Sequence, residues 1–338
     1  MSTSTKLANL PAWHNLTAAV IGFGSIGRRH VENLRTLGIR RLILVRRIID
    51  ANPAFDVPAD ATVVHNAAAA LEMGAELAIV CTPTRHHPES ATPFLRAGVP
   101  VLIEKPIAAE LGDARRLQAL AIKHETPCGM AYCMRYHPAY ALARDAILQD
   151  RIGRVLYAKS WFESWLPAWH PWEDYRASYA ARRELGGGVL PTLDHEIDFL
   201  SWCLGQAHTV TGVSQRSGAL AMDVDDAASL MLEFAGGAMA SCQLSLCRQD
   251  RQRGFEFVGN KASLCYSLES NQLQLCGSDA SGVEVLWDGQ AYDANDMYHE
   301  LLADFLSAVV SGGAPPVPLE AGVGALEICQ QVQSRSEP

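Results

Sequence analysis

Up to about Tyr132, the chain alternates short apolar runs with segments whose apolar residues recur at helical spacing. One helical segment follows the first glycines and ends at Gly38, and two more cover Pro88–Ala97 and Leu111–His124. This alternation predicts a parallel, doubly wound α/β sheet. The predicted strands are Thr17–Ile21, Arg41–Val45, Glu76–Cys81, Val99–Ile103 and Pro127–Tyr132.

After Tyr132, β-type stretches follow one another with glycine reversals and few helices, which predicts a mostly antiparallel sheet. Two helical segments, Met297–Val310 and Leu319 to about Gln333, come last. We therefore predict an N-terminal tail over 1–14, a dinucleotide-binding domain over 15–131 and a substrate-binding α/β domain over 132–338. The predicted strands are Val155–Trp161, Val210–Gln215, Ala228–Phe234, Ala238–Leu246, Phe255–Val258, Leu264–Leu268 and Val283–Trp287.

The first predicted strand leads directly into a G-x-G-x-x-G turn, with glycines at Gly22, Gly24 and Gly27. The first glycine permits a tight turn, the second lets the backbone approach a pyrophosphate, and the third lets the helix pack closely on the strand. Strand, turn and helix in this order predict a dinucleotide site, with a merely tight turn as the alternative. The intervening residues Phe23, Ser25 and Ile26 belong to the same predicted site.

The second predicted strand ends at Arg46-Arg47, where an NAD-preferring fold usually carries an acidic residue for the ribose hydroxyl. Guanidinium groups pair with phosphate through charge-assisted hydrogen bonds. This position therefore favours NADP over NAD, unless Arg46 and Arg47 are only the solvated end of a strand.

The tripeptide Glu104-Lys105-Pro106 follows the apolar run Val99–Ile103. Proline stops the strand, so the lysine lies at the carboxyl edge of the sheet, where open α/β folds bind ligands. Taken alone, the tripeptide is also compatible with a solvated strand end.

Composition limits the partners of this chain of 338 residues, which has a formal net charge of -9. The acidic balance argues against nucleic acid, and no apolar run is long enough to span a membrane. Nine cysteines without a C-x-x-C pair suit buried thiols in a reducing compartment. We expect a cytoplasmic protein with a small-molecule ligand and no metal.

A second group of polar candidates lies on a predicted helix that begins near Pro191 and ends at Gly205. His195 and Asp198 share a face by their i, i+3 spacing, so Asp198 could orient the imidazole for acid–base work. A capped, solvated histidine is the alternative. A metal site built from Asp194, His195, Glu196 and Asp198 is disfavoured because consecutive helical residues point in different directions.

The segment Trp161–Arg176 contains four of the seven tryptophans. Aromatic rings beside carboxylate and guanidinium groups suit a carbohydrate pocket, but the rings could equally pack a loop or a subunit contact.

Together, the glycine turn through His30, Cys81-Thr82-Pro83 with His87, Ala97-Gly98 and Glu104-Lys105-Pro106 resemble the Gfo/Idh/MocA oxidoreductase family. The resemblance extends to Arg135–Pro138, Gly186–Gly188, His195 and Asp304–Leu306. It implies a Rossmann domain, a C-terminal α/β domain with a large open sheet, and a homodimer or homotetramer. It also implies hydride transfer between nicotinamide C4 and a secondary hydroxyl or ketone of a sugar, sugar acid or nucleotide sugar.

The resemblance, together with the side-chain chemistry given above, predicts the roles of individual residues. Lys105 becomes the proton relay, assisted by His195. The cofactor residues are Gly22, Phe23, Gly24, Ser25, Ile26, Gly27, Arg46, Arg47, Cys81, Thr82, Pro83, His87, Glu104 and Lys105. The substrate residues are Trp165, Trp169, Asp174, Tyr175, Arg176, Thr192, Asp194 and His195. The segment His170–Arg176 resembles a subgroup associated with surface-glycan and sialic-acid-like sugars.

The chain departs from the family at Pro191, where many members carry an aspartate. Thr192 or Asp194 could bind a substrate hydroxyl instead. A cofactor-binding sensor or regulator that has lost catalysis is the alternative function.

Overall fold

A computed structural model describes residues 11–46, 57–277 and 282–336, with side chains through residue 333, and these residues form two compact units. The first unit contains the chain through Tyr132 together with Asn295–Glu320, and the second contains Cys133–Ala294 and the chain from Ala321 onward. The division after Tyr132 lies next to the predicted domain boundary. The segment Asn295–Glu320, which the sequence assigned to the second domain, packs with the first.

The first unit is built on a parallel sheet with strand order β3-β2-β1-β4-β5-β6 in the described chain. This order places β1 and β4 at its centre, so their carboxyl ends meet at the switch point where doubly wound folds bind ligands. The strands are β1 Thr17–Ile21, β2 Arg41–Val45, β3 Ala61–Val64, β4 Leu77–Val80, β5 Val101–Ile103 and β6 Cys128–Met130. The helices are α1 Ser25–Thr36, α2 Ala67–Glu72, α3 His87–Arg96, α4 Leu111–Lys123 and α8 Asp296–Ser311.

The parallel, doubly wound sheet is confirmed, with two additions to the predicted elements. β3 and α2 were not predicted, because β3 is four residues long and only Val64 is buried. Helix α8 packs against α1, where Asn33 and Asn295 exchange two side-chain hydrogen bonds. Arg29 of α1 lies over the ring of Tyr298 at 4.4 Å.

The second unit contains an eight-stranded sheet with order β14-β13-β12-β11-β7-β10-β9-β8. Neighbouring strands are antiparallel except β7 and β10. The strands are β7 Val155–Trp165, β8 Ala207–Gln215, β9 Ala227–Phe234, β10 Met239–Ser245, β11 Cys247–Gly259, β12 Ala262–Ser267, β13 Gln272–Gly277 and β14 Val283–Asp288. The helices that follow Tyr132, apart from α8, are α5 Pro138–Leu148, α6 Val189–Thr192, α7 His195–Leu204 and α9 Leu319–Ser336.

The mostly antiparallel second sheet is confirmed. The sequence prediction omitted α5 and β13. It also predicted one helix from near Pro191 to Gly205, where the chain forms two, α6 and α7. Leu193 ends α6 at φ -111°, ψ 25°, and α7 starts at His195.

An aromatic cluster forms much of the core of the second unit around Tyr140 and Phe255, whose ring centroids are 4.9 Å apart. His137 lies in this cluster, and its Nδ1 accepts a hydrogen bond from the Ala139 N–H at the start of α5. Burial, followed by the charge of Arg253, lowers the pKa of His137 to about 3. His137 is therefore a neutral helix cap in this core.

Candidate active site

The glycine turn has the shape that a dinucleotide requires. Gly22 has φ 93°, and a Cβ there would lie 2.7 Å from the carbonyl oxygen of Cys81. A Cβ on Gly27 would overlap the carbonyl oxygen of Gly22, whereas a Cβ on Gly24 would meet nothing within 4 Å. Two glycines are thus needed for packing, and the third faces open space.

That open space lies at the N-terminus of α1. Gly24 is the N-cap, no side chain caps the helix, and its first turn carries no acidic residue. Gly24 and Ser25 are exposed, whereas Phe23 is buried and Ile26 is half-buried. Backbone N–H groups and the positive end of the helix dipole suit a pyrophosphate, so these residues fit a dinucleotide cofactor.

Arg46 follows β2 at the same end of the sheet, and its backbone N–H donates to the Val64 carbonyl. Its guanidinium lies 6.0 Å from the centroid of the Phe23 ring, which links Arg46 to the glycine turn. Arg47 lies outside the described residues.

The turn after β4 carries Cys81, Thr82 and Pro83. The Cys81 N–H donates to the Ile21 carbonyl across 2.7 Å, which joins this turn to the end of β1. Burial, with Glu104 adding to it, raises the pKa of the Cys81 thiol well above its usual range. Cys81 is therefore a buried, protonated thiol.

His87 was predicted to contact the cofactor, and the structure shows it bound to backbone. Its Nδ1 lies 2.9 Å from the Pro106 carbonyl oxygen, and its Nε2 lies 2.7 Å from the Thr82 carbonyl oxygen. Both ring nitrogens face acceptors, so this buried imidazole connects the Thr82 turn to the tripeptide that contains Lys105.

Glu104 is buried and makes a contact that the sequence prediction missed. Its Oε1 accepts a hydrogen bond from Nε2 of His30, on α1, across 2.7 Å. Its Oε2 accepts a bond from the Lys105 N–H at 3.2 Å. The signal in the sequence was a histidine on the apolar face of α1, because such a residue needs a buried polar partner.

Lys105 lies just beyond the carboxyl end of β5 and is half-buried, between the buried residues Glu104 and Pro106. The Lys105–Pro106 peptide bond is cis. This position confirms the predicted strand end: the lysine stands at the carboxyl edge of the parallel sheet.

In the second unit, His195 is the first residue of α7 and is half-buried. Its Nε2 lies 4.0 Å from Sγ of Cys133. Thr192, at the end of α6, and Asp194, the N-cap of α7, are both buried close by in sequence, and Pro191 is buried within α6.

Asp198 does not supply the predicted support for His195, because Arg135 engages it. The guanidinium makes two bonds to the carboxylate, Nε to Oδ2 at 2.9 Å and Nη2 to Oδ1 at 2.6 Å. Burial raises the pKa of Asp198, and Arg135 opposes that shift. Arg135 also lies over the Trp202 ring at 5.1 Å, so the sequence missed an anchor of α7.

Glu196 is fully buried and pairs with Arg253 of β11, whose Nε donates to Glu196 Oε1 at 2.7 Å. Two of the four side chains of the disfavoured metal site, Glu196 and Asp198, are thus bound to arginines. Within the described ranges, no group of three or more histidine, cysteine or acidic side chains is arranged to hold a metal ion.

The tryptophan-rich segment Trp161–Arg176 begins in the last residues of β7 and continues into 3₁₀ turns over Leu166–Ala168 and Tyr175–Ala177. Trp165 ends β7, and Trp169 donates a hydrogen bond to Oγ of Ser164 at 2.6 Å while stacking at 6.2 Å on Phe162. Trp169 therefore contributes to packing within the second unit.

The polar residues of this segment also bond within the unit. Asp174 and Arg176 are exposed and paired, with Nη2 and Oδ2 at 2.7 Å. The Tyr175 hydroxyl accepts a hydrogen bond from the Ala221 N–H at 3.0 Å. The structure thus joins Asp174 to Arg176 and joins Tyr175 to Ala221.

A parallel sheet whose central glycine turn opens onto a helix N-terminus defines a dinucleotide-binding domain. Two family models match the chain: an oxidoreductase family model with an NAD-binding Rossmann fold over residues 16–132, and the GFO/IDH/MocA C-terminal domain over residues 140–265. The chain belongs to the Gfo/Idh/MocA family of oxidoreductases.

Among curated relatives, the chain is 34% identical over 145 residues to the myo-inositol dehydrogenase Hyg17 of Streptomyces leeuwenhoekii, a match over 41% of this chain and 43% of that protein. It is 29% identical to the 1,5-anhydro-D-fructose reductase of Ensifer adhaerens, over 73% of each chain. The fold matches the WlbA dehydrogenase of Bordetella pertussis, crystallised with NADH and UDP-GlcNAcA, with a TM-score of 0.78, 18% identity and coverage of 94% and 95%.

Of the helices in the described part of the chain, none is both long and apolar enough to cross a lipid bilayer.

Proposed function

We propose that this oxidoreductase transfers a hydride between nicotinamide C4 and a secondary hydroxyl or ketone of a sugar, sugar acid or nucleotide sugar. The observation that carries the proposal is the position of Lys105: a half-buried amine at the carboxyl edge of the sheet that carries the open glycine turn. The names of the relatives support a cyclic polyol or sugar as substrate.

Each residue has a defined role in this proposal. Gly22–Gly27 and the N-terminus of α1 hold the pyrophosphate, and the turns at Cys81–Pro83 and Glu104–Lys105 border the nicotinamide half. The bound cofactor supplies the acceptor or donor of the hydride. In the oxidation direction, Lys105 accepts the proton of the substrate hydroxyl as its C–H bond breaks, and in reduction it returns that proton.

His195 assists in binding the reacting hydroxyl. Thr192, Asp194, Trp165, Trp169, Asp174, Tyr175 and Arg176 remain the proposed substrate residues. Asp198 is bound to Arg135, so in this proposal its carboxylate anchors α7.

The cofactor is proposed to be NADP, with NAD as the alternative. Support comes from Arg46, which lies at the carboxyl end of β2 beside the glycine turn. Arg46→Asp should lower the ratio of NADP to NAD affinity about tenfold or more, since a charge-assisted phosphate contact is lost. Arg40→Asp, which makes the same charge change at the opposite end of β2, is the control and should leave the ratio unchanged.

The proposal also includes a homo-oligomer and a cytoplasmic location. One face of the eight-stranded sheet exposes alternate residues along β9, and Met231 and Met239 are both exposed. All nine cysteines are free thiols.

A substrate panel tests the reaction itself. Purified protein is incubated with NADP or NAD and with inositols, anhydro sugars, aldonic acids and nucleotide-linked uronic sugars, each deuterated at its carbinol carbons. We expect deuterium at nicotinamide C4 with at least one class. Tight cofactor binding without deuterium transfer from any class would instead favour the sensor or regulator.

A further inference from the structure

Two buried histidines hold the residues on either side of Lys105. His30, with no exposed surface, binds the side chain of Glu104, the residue before Lys105. His87, 1% exposed, faces the carbonyl of Pro106, the residue after it. Lys105 is therefore fixed through both of its neighbours in the chain.

The two histidines come from different helices. His30 belongs to α1, which starts in the glycine turn, and His87 begins α3, just after the Thr82 turn. The second nitrogen of His87 reaches the Thr82 carbonyl at 2.7 Å. Hydrogen bonds thus connect the glycine-turn helix, the Thr82 turn and the Lys105 tripeptide within one domain.

We infer that His30 and His87 are positioning residues for Lys105, a two-histidine clamp that fixes the lysine relative to the dinucleotide turns. The inference rests on the proposed function, because it assigns the clamp a purpose in proton transfer at Lys105. It goes further by giving catalytic importance to two imidazoles that do not themselves touch the substrate.

The chemistry of each bond indicates what the clamp requires. Because a carboxylate only accepts, His30 must carry its proton on Nε2, and its Nδ1 has no hydrogen-bond partner in the described chain. For His87, both partners are carbonyls, so a protonated ring donates to both of them, whereas a neutral ring donates to one of them at a time. Burial lowers the pKa of His87, although the two carbonyls and the charge of Glu104 oppose that shift.

These requirements define matched variants. Glutamine places an amide donor near the position of histidine Nε2, and asparagine places one near Nδ1. His30→Gln therefore keeps a donor to Glu104, and His30→Leu removes it. His87→Asn keeps a donor to Pro106, and His87→Gln keeps one to Thr82 instead.

Hydrogen–deuterium exchange over residues 101–110 reports the clamp without any substrate, with α4 as the internal reference. We expect about tenfold faster exchange in His30→Leu and His87→Gln, because each of these variants releases a neighbour of Lys105. The retained-donor variants His30→Gln and His87→Asn should exchange at close to the wild-type rate. Should His30→Leu fail to fold, the two His87 variants decide. Equal exchange in the retained-donor and lost-donor variants would overturn the clamp.

Kinetics test its purpose. With a turned-over substrate, kcat should fall about tenfold or more in His30→Leu and His87→Gln, while the cofactor Kd stays within about threefold, since the pyrophosphate site is intact. His30→Gln and His87→Asn should restore most of kcat. If the lost-donor variants exchange faster than the retained-donor variants but the wild type turns over no substrate, the redox proposal is overturned and the clamp stands. If the same difference in exchange is found with an unchanged kcat, the positioning role is overturned.

Discussion

The two units use their buried polar groups differently. In the first, His30, His87 and Glu104 bond to one another or to backbone around Lys105, and the space beside Gly24 stays open. In the second, charged side chains pair among themselves, as Glu196 does with Arg253. The comparison teaches that a polar residue near a predicted site serves either the ligand or the scaffold, and its bonding partners distinguish the two roles.

The largest expected effect on stability lies in the second unit. Glu196→Ala leaves the Arg253 guanidinium buried without its carboxylate, which should cost about 3–5 kcal/mol of unfolding free energy. Glu256→Ala breaks the exposed Lys159–Glu256 pair and should cost less than about 1 kcal/mol. Urea unfolding of both variants measures the contrast. Equal losses would show that the buried pair is no more important to the scaffold than a surface pair.

The glycine turn offers a smaller, ligand-specific effect. Gly24→Ala should lower the free energy of unfolding by at most about 1 kcal/mol, the cost of alanine at an N-cap, because its methyl group meets no protein atom. It should weaken cofactor binding about tenfold or more by filling the space beside the helix N-terminus. Gly27→Ala should instead destabilise the fold by about 1–3 kcal/mol through overlap with Gly22. Calorimetric titration with NADP and NAD, paired with thermal melts, separates the two. Unchanged affinity in Gly24→Ala would place the cofactor elsewhere.

The smallest effect is expected at the exposed Asp174–Arg176 pair. Asp174→Asn should leave the melting temperature unchanged, because solvent screens the pair. If these residues contact substrate as proposed, KM should rise about threefold or more while kcat stays constant. Steady-state kinetics on the best substrate of the panel provides the measurement, and an unchanged KM would assign the pair to the surface of the scaffold alone.

The first unit could be predicted from sequence largely because its signals are local. The glycine turn and the strand that ends at Ile103, just before Glu104, are both set by residues adjacent in the chain, and the structure has them where expected. The partnership of His30 with Glu104 spans 74 positions, so only the fold brings those side chains together.

The second unit shows the limit of spacing arguments. Helical periodicity puts His195 and Asp198 on one face, but it cannot reveal that Arg135, from another segment, binds the aspartate. Likewise, composition left open whether the tryptophan-rich segment forms a pocket or packs a loop, and it could not reveal that Trp169 stacks on Phe162. Partner choice depends on tertiary contacts that the pattern of one helix or loop does not contain.

The most direct test of the central claim is the single-turnover rate of Lys105→Ala. With the substrate identified by the panel, we predict a loss of about 10²–10⁴-fold in the hydride-transfer rate, the range typical of a general acid–base residue. Cofactor affinity should change little, and added small primary amines should partly restore the rate, because they replace the missing proton acceptor. Full-rate hydride transfer by Lys105→Ala, with no response to amines, would contradict the account.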